Sequence, residues 1–292
     1  ADFERVCRLA VRGLDALLSY QNYPILAAQL STEKRRPLGV GIINFAYWLA
    51  KHDLTYQNID ADGLALVDEW AEAWSYYLIK ASADLAVEQG AISGNMETKY
   101  GHGITPNQTY KKDLDELIPH VERQDWAGLR EQLKATGIRN STLMALMPSE
   151  TSAQIANATN GIEPPRSLIS VKQSKHGVLK QVVPEFKRLK NKYDLLWDQQ
   201  SPEGYLKIMA VLQKYIDQGI SVNTSYNPAY YEDEKIPMST MLQHLLMFYK
   251  LGGKQLYYFN TNDGQGEIDV SKMMGELEVV QTDEEACESC TI

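Results

Sequence analysis

Three groups of residues have the types and spacing to do chemistry. Cys287 and Cys290 are separated only by Glu288 and Ser289. A close thiol pair can be oxidised to a disulfide and so carry two electrons. Residues 264–292 hold eight carboxylates against the single Lys272, a composition too poor in apolar groups to repay the entropy of ordering. A flexible coil of the roughly 29 residues between Tyr258 and Cys287 spans about 30 Å, enough for a dithiol to shuttle between two reaction partners. A zinc site would need further soft ligands. His52, His102, His120, His176 and His244 are scattered and none lies near Cys287, so no metal is expected.

The second group is Pro148-Ser149-Glu150-Thr151-Ser152, at the junction of an apolar strand pattern (Ser141–Met147) and a short helix closed by Gly161. A helix amino end offers unpaired N–H groups and the positive end of the dipole, and with three hydroxyls added it can hold phosphate without a basic residue. The same residues also fit plain capping, because Thr151 and Gln154 have the spacing of a capping box. The third group is Tyr257-Tyr258, in a short apolar run between Lys254 and Asn260. Two phenols in contact could pass an oxidising equivalent, yet neighbours in a regular strand point to opposite faces, and tyrosine in strands usually only packs. Two other polar runs, Arg139-Asn140-Ser141 and Gly161 to Arg166, read as structural, with Pro164 and Pro165 holding Glu163 extended in a rigid loop.

Helices with matching period and caps must position these groups. The longest is expected from Asp62 to Gln89, with Leu64, Val67, Ala71, Trp74, Leu78, Ala81 and Leu85 on one face and Gly90 as the stop. Ser201 caps a second, with Pro202 in its first turn, and Met238 to Leu251 forms a third. The opening helix, Phe3 to Leu18, repeats Phe3, Val6, Ala10, Leu14, Leu17 and Leu18, and Cys7 within it reads as a buried packing thiol. Weaker helical patterns cover Gln108–Ile118, Asp125–Thr136 and Glu185–Trp197. Strand patterns cover Leu38–Ile43, Ser141–Met147, Leu168–Lys172, Val178–Val183, Ile220–Asn223 and Gln255–Phe259. The alternation favours an α/β fold with a largely parallel sheet, open or closed into a barrel.

The chain of 292 residues can bury a sizeable core and is read as one domain, 1–262, followed by an acidic tail, 263–292. Its net charge of −9 lies mostly in that tail. No cluster of Lys and Arg suits a phosphate backbone, so nucleic acid is not an expected partner. Neither a membrane-spanning run nor a secretory signal is legible, which predicts a cytoplasmic protein with no membrane role.

The segments NSTLMALMPSETSAQIANATNGIEPPR, QVVPE, KQLYYFNT and the terminal CESC resemble the carboxyl-terminal part of the large, alpha subunit of class I (aerobic) ribonucleotide reductase. The likeness begins in the first helix, with LAVRGLDALLSYQNYP and GVGIINFAYWLAK, and continues to the last residue. It implies the carboxyl-terminal part of a ten-stranded α/β barrel that converts ribonucleoside diphosphates to deoxyribonucleoside diphosphates, for deoxyribonucleotide biosynthesis and DNA replication. It further implies that Pro148, Ser149, Glu150, Thr151 and Ser152 bind substrate phosphates and that Tyr257 and Tyr258 relay the radical. Cys287 and Cys290 would re-reduce an active-site disulfide and be reduced in turn by thioredoxin or glutaredoxin. The helix from Met238 lies where the family forms part of the groove for the tail of the beta subunit.

In that family the thiyl-radical cysteine, the redox-active pair and the ATP/dNTP effector sites lie upstream of the segment resembled here, and Cys7 matches none of them. The resemblance therefore implies a split or released half that is inert alone. It would bind no cofactor itself, and would need the amino-terminal half and a beta subunit carrying a diiron-type radical cofactor. Two residues separate Cys287 from Cys290 where several relatives have four, which alters disulfide strain and potential. The competing reading, a free-standing dithiol carrier or docking module, leaves the phosphate loop and the paired tyrosines without a use.

Overall fold

The computed structural model describes residues 2–174 and 177–262. The chain opens with helices α1 (Asp2–Tyr20), α2 (Leu26–Arg35), α3 (Phe45–Lys51) and α4 (Ala61–Gln89). It continues through α5 (Trp126–Thr136), α6 (Glu150–Ile155), α7 (Phe186–Leu189), α8 (Glu203–Gln213) and α9 (Met238–Lys250). Strands β1 (Ile169–Ser174) and β2 (Gly177–Val182) lie between α6 and α7. Strands β3 (Val222–Tyr226) and β4 (Leu256–Thr261) flank α9.

Helix α4 starts where Asp60 accepts the Gly63 N–H at 2.8 Å and stops at Gly90, whose φ of 88° suits glycine. Its predicted face is buried throughout, and it packs on α1, α5 and α8. Side chains such as Leu64, Leu78 and Leu85 are at most 2 % exposed, and each stabilises the fold by about 1.5–3 kcal/mol relative to exposure. Ser201 Oγ accepts the Glu203 N–H at 3.2 Å just before α8, but Pro202 takes the N-cap position expected of Ser201, which lies one residue outside it.

Four segments lie side by side in parallel: Val40 bridges Met144, Leu146 bridges Ile220, and β3 pairs with β4. The expected parallel arrangement is present, although the first two segments are held by single bridges. By contrast, the apolar runs near 168–183 form an antiparallel hairpin, with Ile169 opposite Val182 and Ser174 opposite Gly177. Only residues 175 and 176 join the two strands, and a parallel crossover needs a dozen or more.

Three expectations give way. Gln108–Ile118 is not an α-helix but two 3-10 turns, Pro106–Gln108 and Lys112–Glu116, with a capping box from Thr105 to Gln108. Leu114 and Ile118 are its buried apolar anchors, too few for a helical stripe. Glu185–Trp197 shortens to α7 and a 3-10 turn at Leu196–Asp198, because Glu185 takes a left-handed φ of 50° and Leu189 is the buried residue of α7. Helix α1 forms, but rotated from its expected face. It buries Cys7, Val11 and Asp15, while Val6 and Leu17 are 53% and 56% exposed.

Asp15 sets that rotation. Its carboxylate accepts from Arg36 Nε at 2.6 Å, Asn140 Nδ2 at 2.9 Å and Arg139 Nε at 3.3 Å. Burial raises the Asp15 pKa, but the hydrogen bonds from Arg36 and Asn140 and the nearby guanidinium charges outweigh it and hold the carboxyl below its ordinary value. Cys7 is the packing thiol expected, pushed up to about 11 chiefly by burial. No helix among the described residues is long and apolar enough to cross a membrane.

Candidate functional site

The 148–152 run sits where expected, at the end of the parallel segment through Met144 and Leu146. Pro148 is exposed, Ser149 takes the N-cap position, and Glu150, Thr151 and Ser152 form the first turn of α6. Helix geometry leaves the first-turn N–H groups without intrahelical acceptors. The capping-box alternative does not form, since the cap is Ser149 and its side chain makes no cap hydrogen bond. Its Oγ is buried and has no hydrogen-bond partner among the described residues. Thr151 and Ser152 are exposed. A polar atom buried unpaired costs about 1–3 kcal/mol, so this hydroxyl is poised to accept or donate to an incoming group.

Gly161 supports this geometry at close range. It has φ of 50°, and a Cβ placed on it would lie 2.8 Å from Ser149 Oγ. Gly161→Ala is expected to destabilise the chain by about 1–3 kcal/mol through backbone strain and this contact. An unchanged unfolding midpoint would show that the α6 entry tolerates a methyl group there.

Behind α6 lies a cavity of about 300 Å³, at the lower end of small-molecule sites, which run roughly 300–1,000 Å³. Glu150, Ala153 and Gln154 of α6 form one wall, Glu163 and Arg166 another, and Gln181 of β2 a third. The wall is tied down by backbone hydrogen bonds from Asn44 to Thr159 and from Phe45 to Gly161, at 3.0 and 3.1 Å. Tyr56 donates to Ile162 O at 2.9 Å and Gln181 Nε2 to Ala158 O at 2.7 Å.

Tyr257 and Tyr258 are brought together. Their ring centroids are 4.2 Å apart with planes inclined by 54°, and the two hydroxyl oxygens are 3.5 Å apart. The strand alternation that argues against this contact is broken by a register shift. Val222 pairs with Leu256 but Thr224 pairs with Phe259, so Asn223 faces two residues, the two tyrosines. This is a β-bulge, which adds a residue to one strand and re-aims its side chains. Both rings are about half exposed, at 51% and 55%. The Tyr258 hydroxyl is held above the ordinary phenol value by its hydrogen bond and proximity to Tyr257.

Two contributors were not singled out from the sequence as site residues. Asn223 Oδ1 accepts the Tyr258 N–H at 3.1 Å and its Nδ2 donates to Glu163 Oε1 at 2.5 Å. Glu163 read only as part of a rigid loop, and Asn223 only as the end of a strand pattern. No local signal marks them, because they are 60 residues apart in the chain. Outward from the same sheet, α9 buries Phe248 while Met238, Leu242, Leu246 and Tyr249 stay at least half exposed. Cys287 and Cys290 lie outside the described residues.

The family model for the ribonucleotide reductase barrel domain matches residues 1–259. The chain is 54% identical over 259 residues to the ribonucleoside-diphosphate reductase subunit alpha of Haemophilus influenzae, covering 89% of this chain and 34% of that protein. It is 53% identical to the ribonucleoside-diphosphate reductase 1 subunit alpha of Escherichia coli, over 85% of this chain and 32% of the relative. The subunit alpha of Enterobacteria phage T4 is 40% identical over 100% of this chain and 38% of its own length. The chain thus spans about a third of the length of these relatives.

Proposed function

Because this chain belongs to the ribonucleotide reductase barrel-domain family, we propose that it supplies the carboxyl-terminal part of the catalytic barrel in a ribonucleoside-diphosphate reductase large subunit. The four parallel segments are then part of a ten-stranded barrel. The open edge at Leu38–Ile43 and the outward apolar residues of α1 pack against an amino-terminal portion like the one that completes its relatives. That portion brings the reacting thiols and the ATP/dNTP effector sites.

Residues Pro148 to Ser152 hold the pyrophosphate of a ribonucleoside diphosphate by N–H groups and hydroxyls. Tyr257 and Tyr258 form the relay from a beta subunit, which carries the diiron-type radical cofactor and docks on the exposed apolar face of α9. Each relay step moves one hydrogen atom, a proton plus an electron, from the hydroxyl of one tyrosine to the phenoxyl oxygen of the other. Cys287 and Cys290 give up two electrons and two protons to an active-site disulfide. They close into a disulfide themselves and are restored by thioredoxin or glutaredoxin. The observation that carries this reading is the bulged phenol pair, since packing alone gives no reason to break a strand ladder and leave two rings half exposed.

Combined with an amino-terminal portion and the beta subunit, the chain is expected to reduce ribonucleoside diphosphates, with no reduction when the chain is omitted. In that assay Cys287→Ser is expected to stop thioredoxin-supported turnover while sparing activity with a small dithiol that enters the site directly. Equal loss with both reductants rules out the shuttle, and activity independent of the chain removes the proposal.

A further inference from the structure

The bulge in β4 creates a difficulty that one side chain resolves. An extra residue leaves a backbone N–H without its ladder acceptor, and an unpaired amide is costly wherever water cannot reach it. That N–H belongs to Tyr258, and Asn223 Oδ1 accepts it at 3.1 Å. The other half of the same carboxamide faces a carboxylate, with Nδ2 to Glu163 Oε1 at 2.5 Å. Glu163 Oε2 in turn accepts from Asn160 Nδ2 at 3.2 Å. The amide orientation follows from its partners, because a backbone N–H needs an acceptor and a carboxylate needs a donor. Aspartate in this place lacks the donor and leucine lacks both groups. Glutamine is a methylene longer, which would displace the bulge.

Asn223 thus joins the wall of the α6 cavity, through Glu163, to the backbone of the phenol pair. The phenol oxygens are 3.5 Å apart, already at the long limit of a hydrogen bond. Little further separation is tolerable if a proton is to pass between them.

We propose that Asn223 is a positioning residue for the phenol relay: its carboxamide holds the bulge closed and anchors it to Glu163, fixing the separation of the Tyr257 and Tyr258 hydroxyls. The inference rests on the relay reading given above.

The test uses the enzyme assembled with the amino-terminal portion and the beta subunit. It compares Asn223→Ala, Asn223→Asp and the double variant Asn223→Asp with Glu163→Gln. Three quantities are measured: kcat, KM for the diphosphate, and hydrogen exchange at the Tyr258 amide. Asn223→Ala is expected to lower kcat by about ten- to a hundredfold, the scale of a misplacement of about 1 Å. KM should stay nearly unchanged and Tyr258 amide exchange should rise. Asn223→Asp keeps the acceptor but sets two carboxylates against each other, and is expected to be similarly slow. In the double variant the new amide donates to the new carboxylate while its oxygen still accepts from Asn160. This reversed pair is expected to restore most of kcat and the amide protection.

Wild-type kcat in Asn223→Ala, beside an inactive Tyr258→Phe, overturns the inference and leaves the relay standing. A double variant that folds to the wild-type midpoint yet is no faster than Asn223→Asp also overturns it, and decides the matter should the alanine variant fail to assemble. Full turnover by Tyr258→Phe instead removes the relay itself, and the inference falls with its premise.

Discussion

Turnover of the assembled enzyme is expected to vanish when either Tyr257 or Tyr258 is replaced by phenylalanine, while diphosphate binding persists. Phenylalanine keeps the ring and its packing but has no O–H bond to oxidise, so the hydrogen-atom step between the two oxygens has no donor. The size of the loss separates this role from a structural one. Both rings are about half exposed and their hydroxyls meet at 3.5 Å, so deleting one oxygen should change stability by no more than about 0.5 kcal/mol. An effect that small on folding cannot account for complete inactivity. The measurement is steady-state diphosphate reduction beside equilibrium nucleotide binding. Normal turnover by either variant would eliminate the relay.

Asp68→Ala is expected to produce the largest loss of stability in the described chain. Asp68 and Lys214 are fully buried, with Nζ to Oδ1 at 2.9 Å. Asp68 also accepts from Tyr215 OH and from Arg123 Nη1, each at 2.9 Å. One turn on, Glu72 accepts from Arg123 Nη1 and from Trp126 Nε1, both at 2.9 Å. These bonds clamp α4 to the chain as it leaves α8 for β3, and so set the direction of the strand that pairs with β4.

Removing Asp68 strands the Lys214 ammonium in the interior, which costs about 3–5 kcal/mol. Domains of this kind have only about 5–15 kcal/mol in total. Removing both charges, as Asp68→Leu with Lys214→Met, should be much milder than Asp68→Ala, because no unpaired ion remains. Denaturant midpoints of the three variants decide it. A midpoint for Asp68→Ala at the wild-type value would mean that the buried pair contributes nothing.

Much of the framework was legible in the residues. Helix α4 begins one residue before its expected start and ends at its expected glycine. Helix α9 runs from Met238 as its period requires. Period and capping are local properties, set by residues three or four apart, so a linear reading reaches them. The same is true of the candidate groups as chemical types: two thiols, two adjoining phenols and a run of hydroxyls are visible before any folding is considered.

What the tertiary structure alone decided lies between residues distant in the chain. Periodicity marked one face of α1, while the face that packs on the rest of the described chain is the one carrying Asp15, whose buried carboxylate is paired with Arg36 and hydrogen-bonded to Asn140, residues that no helical period links to it. The alternation rule sets Tyr257 and Tyr258 on opposite faces. The bulge opposite Asn223, anchored across 60 residues to Glu163, brings their rings into contact. Sequence fixes which groups are available and their local geometry, since those depend on covalent neighbours. Which groups meet depends on long-range packing and on hydrogen bonds that must be satisfied once water is excluded, and those conditions exist only in the folded chain.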